Sequence, residues 1–290
     1  MADLWMQFLL TLDATLRVAT PLILCAMAGL FSERSGIIDI SLEGKMLMAA
    51  FAAGTLAALT GSAIAGLAGA ILVSVMFSLI HGFACITHKG NQVISGLAIN
   101  ILASGLTVTL GIAIFAKGGQ TPMLSREARF SSIELPFAEA AGAIPVIGPI
   151  YKEIISGHNI LVWCALIAVW ITSFIIFKTA FGLRLRAVGE KPEAVDTAGI
   201  SVSGLRYRAV IIAGIFCGIA GAYLSVAHGA GFGREMTAGK GYIALAALIF
   251  GNWRPVPALA ACLMFGFLDA VAARLQGVEV PVIGQIPTDL

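Results

Sequence analysis

Charge is what this sequence has least of. Of its 290 residues, 12% are charged and 59% are hydrophobic, whereas soluble domains are roughly one quarter charged. The shortage is also local: residues 46–88, 90–116, 154–177 and 209–233 contain no Asp, Glu, Lys or Arg. A hydrocarbon core of about 30 Å is crossed by about 20 apolar residues in helical form. The first run is long enough for two such helices hinged at Thr60-Gly61-Ser62, and each of the others for one. No single water-soluble core would bury all of them. The fold class expected is all-α, a polytopic integral membrane protein with about eight transmembrane helices (seven to ten), some broken or re-entrant.

Other absences narrow the function. There is no GxxxxGK[ST] phosphate loop, so no nucleotide hydrolysis by that device is expected in the chain itself. There is no HExxH, and His81, His88, His158 and His228 are scattered without a nucleophile constellation, which argues against an intramembrane enzyme. Cys25, Cys85, Cys164, Cys217 and Cys262 are singletons in apolar segments, placing them as small core residues rather than disulfides or metal ligands. The net charge of +2 comes with no basic tract, so no nucleic-acid partner is expected. The spans lack paired ionisable residues beyond Asp39 and Glu43, which an ion-coupled transporter or channel would need. Asp3 and Asp13 stand where a signal peptide would be basic, so a cleaved leader is not expected.

What is present is one long polar interval, Phe181 to Arg208, between two apolar runs. With Lys178 it holds six basic residues against Glu190, Glu193 and Asp196, a bias that places it in the cytoplasm. Pro192 suits the first turn of a short helix and Gly199 its stop. Acids near the start suit the helix dipole.

The rest reads in order around it. Residues 1–13 look like an amphipathic lead-in to a span from about Ala14 to Phe31, with Pro21 as a tolerated kink. Ser32 to Lys45 then interrupts the apolar pattern, and Asp39 and Glu43, four apart, would share a face if helical, calling for a nearby cation or water. Two readings stand here: a hydrated loop at a helix end, or a broken helix lining a polar cavity. Asn91, Gln92, Ser95 and Asn100 open the span that ends near Ala116, either as interhelical glue or as a polar pathway. Residues 117–159 balance basic and acidic residues and contain several prolines, which marks an outer loop, with Ser131–Ala141 as a possible interfacial helix. Gly214-x-x-x-Gly218 and Gly221 suit close helix packing. Residues 229–235 read as an outer turn. The charge-free runs 241–253 and 255–268 are short for full crossings, which suggests a half-helix or a short span. Gly36-x-x-x-Ile40-Ser41-Leu42 echoes Gly239-x-x-x-Ile243-Ala244-Leu245, a hint of inverted repeats covering 14–116 and 209–290 within one permease-like domain, with the loop 117–159 and the polar segment 178–208 between them.

Several of these stretches together resemble one family. Ser32–Gly44, Leu183–Ala194 with Ala198-Gly199-Ile200, Met236–Leu245 running on to Pro255, and Asn91–Gly96 are similar to signatures of bacterial ABC importer permeases of the branched-chain amino acid, ribose and nucleoside superfamily, closest to the nucleoside type. Lys191 stands where the family commonly has Asn. Such permeases usually continue into one further apolar span beyond the position of Leu290, so either the sequence is cut short here or that last crossing is absent. The resemblance implies a transport subunit of the inner membrane, binding no cofactor itself, with ATP and Mg used by a separate ATPase. It implies contact with that ATPase through Gly182, Arg184, Arg186, Gly189, Glu190, Pro192, Glu193, Ala194 and Gly199, the two arginines anchoring the segment by charge-assisted hydrogen bonds. The further partners implied are a second homologous permease, an external binding protein and the lipid membrane. The pathway candidates are Asp39, Glu43, Asn91, Gln92, Ser95 and Asn100, with Asp39 and Glu43 favoured as structural groups. Simple sugars and branched-chain amino acids are the alternative substrates.

Overall fold

The computed structural model describes residues 2–133, 148, 151, 156–275, 279–280 and 284–285. Ten α-helices occur among them: α1 Ala2–Arg34, α2 Leu42–Thr60, α3 Ala63–Gly82, α4 Gln92–Phe115, α5 Ile160–Lys178, α6 Ala180–Glu190, α7 Pro192–Thr197, α8 Val202–Ala222, α9 Lys240–Phe250 and α10 Pro255–Leu275. α3 and α8 each continue into a wider turn, to Thr87 and His228. Glu279–Val280 and Gly284–Gln285 form a two-residue antiparallel pair. Seven of the described helices are long and apolar enough to span a bilayer, while α9 has 11 residues.

Local chemistry sets the boundaries. Gly61, at φ +69°, ends α2, and Ser62 caps α3 by accepting the Ala65 N–H, so the Thr60–Ser62 hinge is where the sequence places it. Asn91, Asn159, Thr179 and Ser201 cap α4, α5, α6 and α8 with side-chain oxygens. α1 departs from expectation. It is continuous from Ala2, because no glycine or proline precedes Pro21 and Asp13 pairs with Arg17 one turn on, at 3.0 Å.

α1, α2 and α8 are the interior, and α3, α4, α5 and α10 wrap them. α8 packs on α3 along a seam of glycines: a Cβ on Gly214 would lie 2.9 Å from Val75 Cα, and one on Gly218 2.6 Å from Ile71 Cα. A Cβ on Gly221 would lie 2.5 Å from Met46 O on α2. Only glycine allows backbones this close, as the GxxxG spacing predicts. The outer faces are apolar: Ile64, Leu72, Ile101, Trp170 and Phe250 are among the largely exposed side chains, a surface suited to lipid. A soluble protein would avoid so much of it.

Two ends follow from the charges. Arg34, Lys178, Arg184, Arg186, Arg206 and Arg254 lie toward the basic, cytoplasmic end; Asp13, Arg17 and the start of α5 lie toward the outer end. Residues 229–239 depart from the expected outer turn. They dip into the bundle, where Phe232 is buried edge-on against Phe51 at 5.2 Å between ring centres and exchanges hydrogen bonds with Thr121. From the bottom of this dip α9 runs about 16 Å toward the inner end, as a half-helix. At Ser131–Ile133 the chain is extended, with Ser132 bridged to Asn159; the remainder of the expected Ser131–Ala141 helix lies outside the described residues.

Candidate functional site

At the inner end, α6 and α7 form a hairpin of two short helices. The corner from α5 into α6 is tight. Thr179 accepts the Gly182 N–H at 3.2 Å, and a Cβ on Gly182 would fall 2.2 Å from Ile175 O. Pro192 opens α7 at its first position, and Gly199 leaves it at φ +74°. Val188, Val195 and Leu205 form a small core beneath the hairpin. The outward side is exposed: Leu183, Arg184, Glu190, Glu193 and Ala194. Cavities of about 390 Å³ and about 360 Å³ flank α7, one lined by Leu183, Ala187 and Ile200 and the other by Pro192, Glu193 and Arg206. Arg186 takes a different anchor from the hydrogen bonds expected. Its guanidinium lies 5.1 Å from the centre of the Phe177 ring, and its Nε has no partner among the described residues.

This hairpin is wired into the end of α1. Gly189 sits so close that a Cβ there would be 2.4 Å from Arg34 O. Arg206 Nε donates to Ser35 O at 3.2 Å. The Arg34 guanidinium donates to Trp253 O at 2.7 Å, and Trp253 Nε1 donates to Glu33. The end of α1 therefore joins α6, α8 and the α9–α10 link.

Beyond Arg34 the chain turns back as a non-helical stretch, Ser35–Ser41, with Ser35, Ile37, Asp39 and Ser41 buried. α2 then begins more than one turn back along α1, since a Cβ on Gly29 would lie 3.3 Å from Leu42 Cδ1. Asp39 is outside the helix, so it shares no helical face with Glu43. The cation the sequence called for is Lys45: its Nζ donates to Asp39 at 2.5 Å, with both side chains fully buried. Ser41 donates to the other carboxylate oxygen, and His81 Nε2 stands 4.0 Å from it. Burial alone would push the Asp39 carboxyl up, but Lys45, His81 and Ser41 hold it below the ordinary carboxylate value.

Glu43 has a separate set of partners. Its two oxygens accept the Gly239 and Gly241 N–H groups at 2.9 and 2.6 Å, placing a carboxylate on the N-terminus of α9, where the dipole favours it. Gly36 and Gly239, the first residues of the echoed motifs, both have left-handed φ, +83° and +78°, and Glu43 joins the two segments. Asn100 joins them again: it accepts the Gly44 N–H at 2.8 Å and donates to Ile40 O at 3.0 Å and to Tyr242 Oη at 2.7 Å.

The remaining candidates lie at the start of α4, where Gln92 directly and Ser95 through His81 of α3 bear on the same stretch. Gln92 accepts the Ile38 N–H at 2.7 Å, Ser95 meets His81 Nδ1 at 3.0 Å, and Asn91 caps α4 through Val93 and Ile94. One turn beyond Asn100, Ser104 donates to Glu235 at 2.5 Å. Asn100, Ser104, Tyr242 and Glu235 thus form a half-open polar strip between α4 and the start of α9. Sequence reasoning missed Lys45, Tyr242 and Glu235 as site residues. Lys45 was visible as a charge entering an apolar span; the contacts of the other two join chain segments more than 100 residues apart and left no local signal.

Comparison with known proteins adds the relationship. Residues 11–285 match the family described as "Branched-chain amino acid transport system / permease component". The chain is 40% identical over 280 residues to the guanosine ABC transporter permease protein NupQ of Bacillus subtilis, covering 94% of this chain and 84% of that protein. It is 36% identical over 277 residues to the nucleoside ABC transporter permease protein NupC of Lactococcus lactis, covering 93% and 83%. A second Bacillus subtilis protein, the guanosine ABC transporter permease protein NupP, is 29% identical over 287 residues, covering 95% and 76%. No solved structure matches the chain.

Proposed function

We propose that this chain, which belongs to the branched-chain amino acid transport system permease family, carries nucleosides inward across the membrane it spans. Membership makes it a multi-pass permease of the inner membrane and a transport subunit of an ABC importer. The observation that carries the substrate reading is the strip built on Asn100. It presents the Asn100 and Ser104 oxygens and the Tyr242 hydroxyl along a half-open strip, with Glu235 held by Ser104 at one end. Such a surface suits a neutral solute rich in hydroxyl and ring-nitrogen groups, and NupQ and NupC are nucleoside-type permeases by name.

The partner reading rests on family membership, with the exposed hairpin as the docking surface. The exposed α6–α7 hairpin receives a separate ATPase, which uses ATP and Mg; Gly182, Arg184, Gly189, Glu190, Pro192, Glu193, Ala194 and Gly199 shape or present it. A second homologous permease completes the pathway, a reading supported by the likeness of this chain to both NupQ and NupP of one organism. The echoed segments that meet at Glu43 are corresponding parts of two inverted repeats, each following a full span, and the solute path runs beside their junction. An external binding protein delivers the solute. Titrating that binding protein with nucleosides, ribose and leucine, followed by calorimetry, should give saturable heat with a nucleoside. Heat with ribose or leucine and none with any nucleoside would overturn the substrate reading.

A further inference from the structure

The outer end carries a second polar feature that the transport reading does not use. A cavity of about 280 Å³ opens where α1, α5 and the end of α8 meet the loop 126–132, and it is lined by Arg17, Arg126, Arg129, His158, Asn159 and His228. Three arginines line it. The carboxylate paired with this group among the described residues is Asp13, 3.0 Å from Arg17 and 3.7 Å from His158. Glu127 lies on the short turn Arg126–Ala128 but does not line the cavity.

The lining is poised to donate. Arg129 is half-buried, and its Nε is shielded from water with no partner among the described residues, a costly state for a charged donor. Asn159 spends its carbonyl oxygen on the Leu161 and Val162 N–H groups, leaving its NH₂ as a donor. Tyr223 gives its hydroxyl to Arg17 O at 2.9 Å and lies against His228, so the floor is fixed.

Depth narrows the ligand. Along the unbroken α1, Asp13 lies about 31 Å from Arg34 at 1.5 Å per residue, which matches a hydrocarbon core of about 30 Å. The cavity is therefore level with the outer headgroups. We propose that it is a binding site for a phosphate-class anion, either the phosphodiester of an anionic lipid headgroup or a free phosphate. Guanidinium forks match phosphate oxygens in pairs, and among the described residues of the lining and its partners arginine outnumbers carboxylate.

The test uses the assembled transporter in nanodiscs, comparing wild type with Arg126→Gln and Arg126→Gln/Arg129→Gln. One arm titrates inorganic phosphate in phosphatidylcholine discs and reads the thermal shift. The other counts phosphatidylglycerol retained per complex by native mass spectrometry from mixed discs. The site predicts saturable binding in at least one arm, weakened about tenfold or more in the double variant and less in the single, exposed-residue variant. A response to phosphate alone assigns a free anion; retention of phosphatidylglycerol alone assigns the lipid. Equal behaviour of wild type and both variants, or no binding in either arm, would overturn the proposal. Capture of the external binding protein that needs Arg126 while neither phosphate probe binds would give the pocket to a protein carboxylate, and would overturn it too.

Discussion

Replacing Gly189 with valine should lower ATP-driven uptake by roughly 10- to 100-fold, the scale of a lost coupling energy of about 1–3 kcal/mol, while membrane insertion persists. Even a Cβ at Gly189 would stand 2.4 Å from Arg34 O and 3.3 Å from Gly36 N. Both neighbours are backbone, so neither yields by a rotamer change. The hairpin must instead lift from the end of α1. That loosens a place where α6, α8 and the α9–α10 link share a partner, through Arg206 on Ser35 O and Arg34 on Trp253 O. The exposed side chains of the proposed docking face, Leu183, Glu190 and Glu193, are all retained. ATP hydrolysis by the complex should therefore continue while transport fails. Uptake and hydrolysis measured in the same proteoliposomes separate these outcomes, and wild-type uptake by the valine variant would remove α1 from the coupling route. Gly189→Ala, with the same Cβ and less bulk, should fall between.

Lys45→Met is the second large effect, and it acts on stability. The Asp39–Lys45 pair is fully buried, at 2.5 Å. Removing one partner of such a pair strands the other charge, at a cost of roughly 3–5 kcal/mol. His81 and Ser41 remain beside Asp39, but they do not neutralise it. Burial, now opposed only by those two groups, would drive the carboxyl toward its protonated form. Removing both charges with Asp39→Asn/Lys45→Met leaves no stranded ion and should recover most of the loss. Thermal unfolding in detergent, read for the single and the double variant, measures the difference. A double variant as unstable as the single would show that the pair acts through packing and not through charge.

The spans and their ends were legible because each is set locally. Charge-free runs, the Gly61-Ser62 hinge, Asn91 and Asn159 as caps, Pro192 and Gly199 around α7, and the Gly214–Gly221 seam are all visible within a few residues of chain. The polar hairpin was legible for the same reason. What was not legible depends on distant segments meeting. The Ser35–Ser41 break was visible as an interruption, but its burial rests on Lys45, His81 and Ser95 arriving from three directions. Residues 229–235 read as a surface turn because Phe232 finds its partner in Phe51, far away in sequence. Gly189 on Arg34 O and Tyr242 on Asn100 are contacts of the same kind.

If a separate ATPase drives this permease through the α6–α7 hairpin, the solute moves only while that subunit and ATP are present. The most direct measurement is uptake of labelled guanosine into proteoliposomes holding this chain, its partner permease and the external binding protein, with and without the ATPase subunit and ATP. Uptake that requires both, and that disappears when Glu190 and Glu193 are reversed to lysine, is the predicted result. Uptake that continues without the ATPase, or that follows an imposed ion gradient instead, would contradict it.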